Sequence, residues 1–401
     1  MKKPDTVEAV IPGIRLGVSA ANICYSDRDD IAILELGEKT TTAATFTRNR
    51  FAAAPVVIAK KHLATHQPRY LLINAGNANA GTGIQGINDA IASCELLAQL
   101  AGCATEEILP FSTGVIGEYL PMDKLLAGIR SARQQLAENN WLAAGKAILT
   151  TDTTEKLVSH EFTLNGKPCH ITGMAKGSGM IHPNMATMLA FIATDASVTP
   201  SLLQQALSNA VDNSFNCITV DGDTSTNDAC VVCATGQSEL NFDSDDMALE
   251  VFTAKLTHVC QQLAELIIRD AEGATKLMRV RVEGGRNSQE CRSMGFTVAQ
   301  SSLVKTAMFG QDANWGRILA AVGRAPIEDF DLNKVDIYLD EINIVSKGER
   351  EKYYLEEDGA RIMQRPEITI RINLNMGDAN AEILSSDLSH AYVSINADYR
   401  S

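Results

Sequence analysis

Short β-branched and aliphatic runs alternate with segments of helical periodicity from one end of the chain to the other. That alternation commits the sequence to a mixed α/β architecture, with mixed sheets flanked by helices. IAILEL at 31–36, TTAATFT at 41–47, PVVIA at 55–59 and YLLINA at 70–75 read as strands. Further strands are expected at 278–283, 335–340 and 367–374. Helices are expected at 87–102, 121–137 and 245–270. In the second of these, Pro121 suits a first turn, and Leu125, Ile129, Ala132 and Leu136 share a face. In the third, Leu249, Phe252, Leu256, Val259, Leu263 and Leu266 form one apolar stripe behind acidic Asp243, Asp245 and Asp246. The chain has 401 residues. Single cores stop growing at about 250–300 residues, so two or three lobes are expected.

Composition removes several functional classes. Hydrophobic residues make up 45% and charged residues 21%, enough apolar material for a core. The net charge is −14 and no basic block stands out, which disfavours binding to a phosphate backbone. Nine dispersed cysteines fit a reducing compartment better than a disulfide framework. Cys230 and Cys233 have metal-ligand spacing, but ACVVCA reads as a buried strand and no second pair follows. No secretory h-region follows the opening MKK, and no uncharged run reaches the ~18 residues of a membrane span. The expectation is therefore a cytoplasmic protein with no nucleic-acid or membrane partner.

Two motifs are weaker than they look. Gly81, Gly83 and Gly86 match G-x-G-x-x-G, but residues 75–80 separate the first glycine from the strand before it. A dinucleotide site needs that glycine directly off the strand, so a glycine-rich loop at the active-site wall is the better reading. The acidic run Asp221 to Asp228 lacks a glutamate at the twelfth loop position, where Val232 stands, so it is no calcium loop. Its side chains are expected to cap turns beside the pocket. The seven histidines show no H-E-x-x-H pattern. Neither a metal nor a redox cofactor is expected.

The stretch GMAKGSGMIHPNMATMLAFIATDA, residues 173–196, is the most unusual in the chain. A glycine-rich approach leads through Pro183-Asn184 to Thr187, which opens an apolar, strand-like run. Threonine is a poor nucleophile until it becomes N-terminal and its own α-amine serves as base. Such an amine has a pKa of about 7.7–8.0, near working pH. Attack of the Thr187 hydroxyl on the Ala186 carbonyl, an N-to-O acyl shift and hydrolysis would create it. Pattern alone also fits a glycine turn leading into an ordinary core strand, with the Thr187 hydroxyl bonded to a backbone carbonyl.

KGSGMIHPNMATMLAF resembles the signature of the ornithine acetyltransferase family, the arginine-biosynthesis bifunctional glutamate N-acetyltransferases. NAGNANAGTG at 74–83, STGVIG at 112–117, TTDT at 150–153 and TVDGDTSTND at 219–228 resemble it too. So do AEGATK at 271–276, LVKTA at 303–307, FGQDANWGRI at 309–318 and INADYRS at 395–401, all in the family's order. The likeness runs from about Ile11 to the last residue.

The resemblance implies a layered, N-terminal-nucleophile-like core and cleavage between Ala186 and Thr187, giving an N-terminal chain 1–186 and a C-terminal chain 187–401. It implies that Thr187 is the nucleophile and that Thr113 and Gly114 form the oxyanion hole. Thr150, Lys176, Thr187, Glu272, Asn396 and Ser401 are implied to bind substrate, with Thr150 chosen from the 150–153 run. Ser401 stands where the family commonly has threonine. His182 is expected to be a turn residue, since the threonine amine already supplies a base. The implied activity is acetyl transfer from N2-acetylornithine to glutamate, with acetyl-CoA a substrate only in bifunctional members. Two copies of each fragment are implied to assemble as a heterotetramer. A self-cleaving aminopeptidase or amidase would need the same nucleophile and differs in using water as acceptor. A binding module would stay uncut.

Overall fold

The computed structural model describes residues 10–182, 188–238, 240–242 and 246–398. Ala186, Thr187 and Ser401 lie outside the described residues. The chain divides into two compact units, and these are not its two sequential halves. The first takes Met1–Gly177, Asn184–Asn216 and Thr224–Ile267. The second takes Ser178–Pro183, Cys217–Asp223 and Ile268–Ser401.

Among its described residues the first unit holds nine strands: β1 (Ile14–Ser19), β2 (Ile31–Leu36), β3 (Thr41–Phe46), β4 (Tyr70–Asn77), β5 (Ile108–Val115), β6 (Lys156–Leu164), β7 (Lys167–Lys176), β8 (Leu189–Thr194) and β9 (Ala229–Ala234). Its helices are α1 (Ala54–Leu63), α2 (Gly83–Ala101), α3 (Met122–Gln134), α4 (Trp141–Ala147), α5 (Pro200–Asp212) and α6 (Asp246–Arg269). One sheet has the order β1-β2-β4-β5, with β4 and β5 parallel. The other has the order β3-β9-β8-β7-β6, with β8 and β9 parallel.

The two sheets lie face to face. Leu34, Leu71, Ile73 and Phe111 of the first meet Met174, Phe191, Val231 and Cys233 of the second in one buried cluster. The Phe111 and Phe191 rings meet edge to face at 5.0 Å. On the outer side of the first sheet, Ile31, Ile33, Tyr70 and Leu72 pack under α2 and α3. On the outer side of the second, Gly173 and Ile192 lie under Val259 and Leu263 of α6. The result is a helix–sheet–sheet–helix stack. It explains why the central strands read as unbroken apolar runs: both of their faces are buried. Each fully buried Leu, Ile or Phe contributes roughly 1.5–3 kcal/mol.

The second unit holds a sheet of order β13-β12-β11-β14-β10-β15. Its strands are β10 (Leu277–Gly285), β11 (Asp336–Leu339), β12 (Ile342–Ser346), β13 (Glu349–Arg350), β14 (Glu367–Asn373) and β15 (Ala379–Ser386). Its helices are α7 (Ser288–Ala299), α8 (Ser302–Phe309), α9 (Trp315–Gly323), α10 (Glu356–Met363) and α11 (His390–Ala397). Here β14 alternates: Ile368, Ile370 and Ile372 enter the core. The other face carries the Arg279–Glu367 and Arg281–Glu382 ion pairs.

Most expected elements appear within a few residues of the sequence reading, including the helix at 245–270. PVVIA at 55–59 is a correction: it lies in helix α1. Pro55 occupies the first turn, where its fixed φ suits a helix and its missing N–H is not needed. The helical pattern appears only once the stretch is carried on to the buried His62, past the exposed Val57. Gly83 and Gly86 likewise belong to helix α2 rather than to a loop. A Cβ on Gly86 would stand 1.9 Å from the Thr82 hydroxyl, so this glycine serves close packing. Among the described residues, no helix is long and apolar enough to cross a membrane.

Candidate active site

In the first unit, the strand ends bring the sequence-nominated Lys176 to the same corner as Met188 and Asp228. Lys176 ends β7 and pairs with Leu189 at the start of β8, which in turn pairs with Ala229 at the start of β9. The residue after Thr187, Met188, therefore sits beside the residue before β9, Asp228. The Met188 amide donates to Asp228 Oδ1 at 3.1 Å. Asp228 is 1% exposed, and among the described residues no donor reaches its Oδ2. Burial, only partly offset by neighbouring hydroxyls, the Met188 amide and Lys176, pushes its carboxyl well above the ordinary range.

The neighbouring Asn227 ties this corner to the end of β5. Its Nδ2 donates to the carbonyls of Ala78 at 2.7 Å and Ser112 at 2.8 Å. Ser112 Oγ donates to Asn74 Oδ1 at 2.6 Å, and Asn74 Nδ2 donates to the Asn77 carbonyl at 2.9 Å. This chain of side chains fixes the strand end that carries Thr113 and Gly114. Gly114 has φ +136°, and opposite it Gly76 has φ +95°. A Cβ on Gly114 would lie 2.2 Å from the Gly76 carbonyl carbon. Two glycines thus let parallel strands close together just where the register slips at Asn77.

Lys176 is held tightly. Its Nζ donates to Thr150 Oγ1 at 2.7 Å and lies 3.6 Å from Asp152 Oδ2. The Asp152 side chain is fully buried. Its Oδ1 accepts the Gly177 amide at 2.7 Å, and its Oδ2 accepts the Thr150 amide at 3.1 Å. Lys156, also buried, pairs with it at 2.5 Å. Burial alone would raise the Asp152 pKa, but Lys176 and Lys156 together hold it well below the usual carboxylate range. Two lysines thus flank one carboxylate, and a lysine ammonium is a point charge of the kind that meets an anionic group.

The sign of the Asp152 shift fixes a pH dependence. A depressed folded-state pKa gives stability that is present above the unfolded value, about 3.9, and is lost as pH falls below it. Asp152→Asn is expected to cost about 3–5 kcal/mol near pH 7, because Lys156 loses its buried partner. Denaturant titrations between pH 3 and 7 should show the gap to wild type shrinking in acid. A gap that is the same at every pH would refute the ion pairing.

In the second unit, Glu272 and Asn396 are brought together. Asn396 Nδ2 donates to Glu272 Oε2 at 2.8 Å. Gly273, at φ +65°, lets α11 pack closely: a Cβ there would lie 2.5 Å from the Tyr392 amide. Ser389 Oγ donates to the Gly273 carbonyl at 2.6 Å and caps α11. His182 bonds Gln300, packs on Phe296, and is kept below its usual pKa mainly by burial. Among the described residues, no group of three or more His, Cys, Asp or Glu converges as a metal site.

The resemblance alone nominated Glu272, Asn396, Thr113 and Gly114. It missed Asp152 and Asn227, whose bonds to Gly177 and to Ala78 and Ser112 span long stretches of sequence. The i,i+4 spacing of Asp152 and Lys156 is a local signal for the ion pair.

The ArgJ family model matches residues 15–401. The arginine biosynthesis bifunctional protein ArgJ of Methylococcus capsulatus is 53% identical over 391 residues, covering 97% of this chain and 96% of its own. The protein of the same name from Psychrobacter arcticus is 51% identical over 400 residues, covering 99% and 98%. A solved structure of the Bacillus halodurans protein of that name is 38% identical, with a TM-score of 0.49 over 52% of this chain and 97% of that one. With a family match over nearly every residue and relatives more than half identical from end to end, this chain belongs to the ArgJ family.

Proposed function

We propose that the chain cuts itself between Ala186 and Thr187 and then carries an acetyl group from N2-acetylornithine to glutamate on the Thr187 hydroxyl. The observation that carries this reading is membership of a family whose relatives are named for bifunctional arginine biosynthesis, along the full motif set. The geometry supports it: the Thr113–Gly114 strand end and the buried Lys176 cluster belong to the same unit as β8, which Thr187 precedes by two residues.

In this mechanism the Thr187 α-amine takes the proton of its own hydroxyl as Oγ attacks the acetyl carbonyl. Thr113 and Gly114 donate to the tetrahedral oxyanion, and one such donor is worth about 3 kcal/mol of barrier. The amine returns the proton to the departing ornithine nitrogen, leaving an acetyl ester on Thr187. Glutamate's amine then attacks the ester, and N-acetylglutamate leaves. Lys176 meets the carboxylate shared by both substrates, and Glu272 meets the distal ammonium of acetylornithine. Ser401 and Asn396 supply neutral hydrogen bonds suited to either. Acetyl-CoA serves as a second acetyl donor in the bifunctional case. The cleaved fragments assemble as two copies of each in the cytoplasm.

The test is ornithine release from N2-acetylornithine, with and without glutamate. The expected result is a burst of about one equivalent per site without glutamate and steady turnover with it. Equal rates in both arms would mean that water is the acceptor and that the enzyme is a hydrolase.

A further inference from the structure

On the cleavage reading, nearly all of the second unit comes from the second chain. The exception is Ser178–Pro183, which becomes the tail of the first. Its described part is woven into that unit. The Ser178 carbonyl accepts the Glu272 amide at 2.9 Å. The Ile181 carbonyl accepts the Val220 amide at 2.9 Å and Thr219 Oγ1 at 3.0 Å. The Ile181 side chain is fully buried.

One carboxylate gathers this strap. Asp221 Oδ2 accepts the Met180 amide at 2.6 Å, and Oδ1 accepts the Ile181 amide at 3.0 Å and the Asp223 amide at 3.2 Å. These bonds hold Met180 at φ +57°, a conformation that side chains rarely adopt. The turn so formed sets Gly179 flat against Glu272: a Cβ there would stand 2.3 Å from Glu272 Oε2. Asp221 Oδ2 also accepts the Tyr392 hydroxyl at 3.2 Å. Tyr392 lies one turn before Asn396 on α11, and its carbonyl accepts Asn396 Nδ2 at 3.0 Å. Asp221 therefore anchors both things that border the Glu272 carboxylate: the strap beneath it and the helix that donates to it.

We infer that Asp221 is a positioning residue for the Glu272–Asn396 pair, and that the tail of the first chain stays behind after cleavage as the wall against which Glu272 is set. The inference rests on the proposed acetyl transfer and on Glu272 serving the distal ammonium. It predicts a defect that is selective by substrate. Only acetylornithine carries that ammonium, so the acylation half-reaction depends on a correctly set Glu272 carboxylate, whereas of this pair the glutamate half-reaction draws only on the neutral Asn396 contact.

The experiment compares wild type, Asp221→Asn and Gly179→Ala by intact mass and by kcat/KM for each substrate. Asparagine keeps the shape but can offer the Met180 and Tyr392 donors no second acceptor. Both variants are expected to be cut to two chains. In both, kcat/KM for N2-acetylornithine should fall about tenfold or more, with the value for glutamate within about threefold. Adding Glu272→Gln to either should cost little further, because the partners act as one unit. Equal losses for both substrates, full additivity with Glu272→Gln, or an uncut Asp221→Asn chain would overturn the inference. Should Asp221→Asn fail to fold, Gly179→Ala and Tyr392→Phe read the same pair, and no acetylornithine-selective loss in either would be equally decisive. A wild type that is uncut, or that hydrolyses acetylornithine without transfer, would instead remove the underlying mechanism.

Discussion

Thr187→Ala is expected to yield one uncut chain of 401 residues with no acetyl transfer. The substitution removes the hydroxyl that both reactions need. Without cleavage it also removes the free α-amine that would act as base. Losses of nucleophile and base are not additive, because either alone disables the step; the combined loss in kcat should be on the order of 10⁴–10⁶. Thr187→Ser separates this from a folding defect: the hydroxyl remains, so cutting should persist and activity return in part. Intact mass and ornithine release read the two functions independently. Two fragments from the alanine variant would show that another group performs the cut, and the assignment of Thr187 would fail.

The fold was legible wherever burial leaves a one-dimensional mark. The runs at 31–36, 70–75 and 189–194 are apolar without alternation because each strand lies between a helix layer and a second sheet. Helix α6 shows its stripe because only one side faces the sheet. PVVIA failed because four apolar residues fit either period, and the arbitrating evidence, Pro55 and the continuation to His62, lies at its edges. The hairpin of β6 and β7 carries a plain signal at Asn165-Gly166, where both residues have positive φ, but the strands it joins mix polar and apolar residues and form no apolar run.

The site was legible differently. Lys176 and Thr150 could be nominated by resemblance, and the structure places their side chains in contact. What holds them in place is Asp152, Lys156 and the Gly177 amide, which meet only when β7 closes on the 150–156 segment. The same holds for Asn227, which is 115 residues from the Ser112 carbonyl that it binds. Long-range hydrogen bonds have no period and leave no pattern in a single sequence. The glycines are intermediate: their presence is visible, but whether one turns, packs or opens a hole depends on what stands opposite.

Gly114 is where that difference has the largest consequence. Gly114→Ala is expected to abolish acetyl transfer while Gly102→Ala leaves it intact. Both glycines have positive φ, +136° and +70°. At Gly102 a Cβ meets nothing within 4 Å, so the cost is only the left-handed conformation at the end of α2, about 1 kcal/mol. At Gly114 the Cβ would stand 2.2 Å from the Gly76 carbonyl carbon, 2.5 Å from the Asn77 nitrogen and 2.6 Å from the Gly76 oxygen. These are backbone atoms of the paired strand and cannot swing aside as a side chain would. The end of β5 must move away from β4, taking the proposed Thr113 and Gly114 donors with it. Donors act on an oxyanion only within about 2.7–3.1 Å, so a displacement of an ångström forfeits both. Two donors at about 3 kcal/mol each correspond to a fall in kcat on the order of 10⁴. Thr113→Ala, which leaves the backbone in place, should lose no more than about 10²–10³. A folded Gly114→Ala enzyme that transfers acetyl groups as fast as the Gly102→Ala control would mean that the oxyanion is held somewhere other than the end of β5.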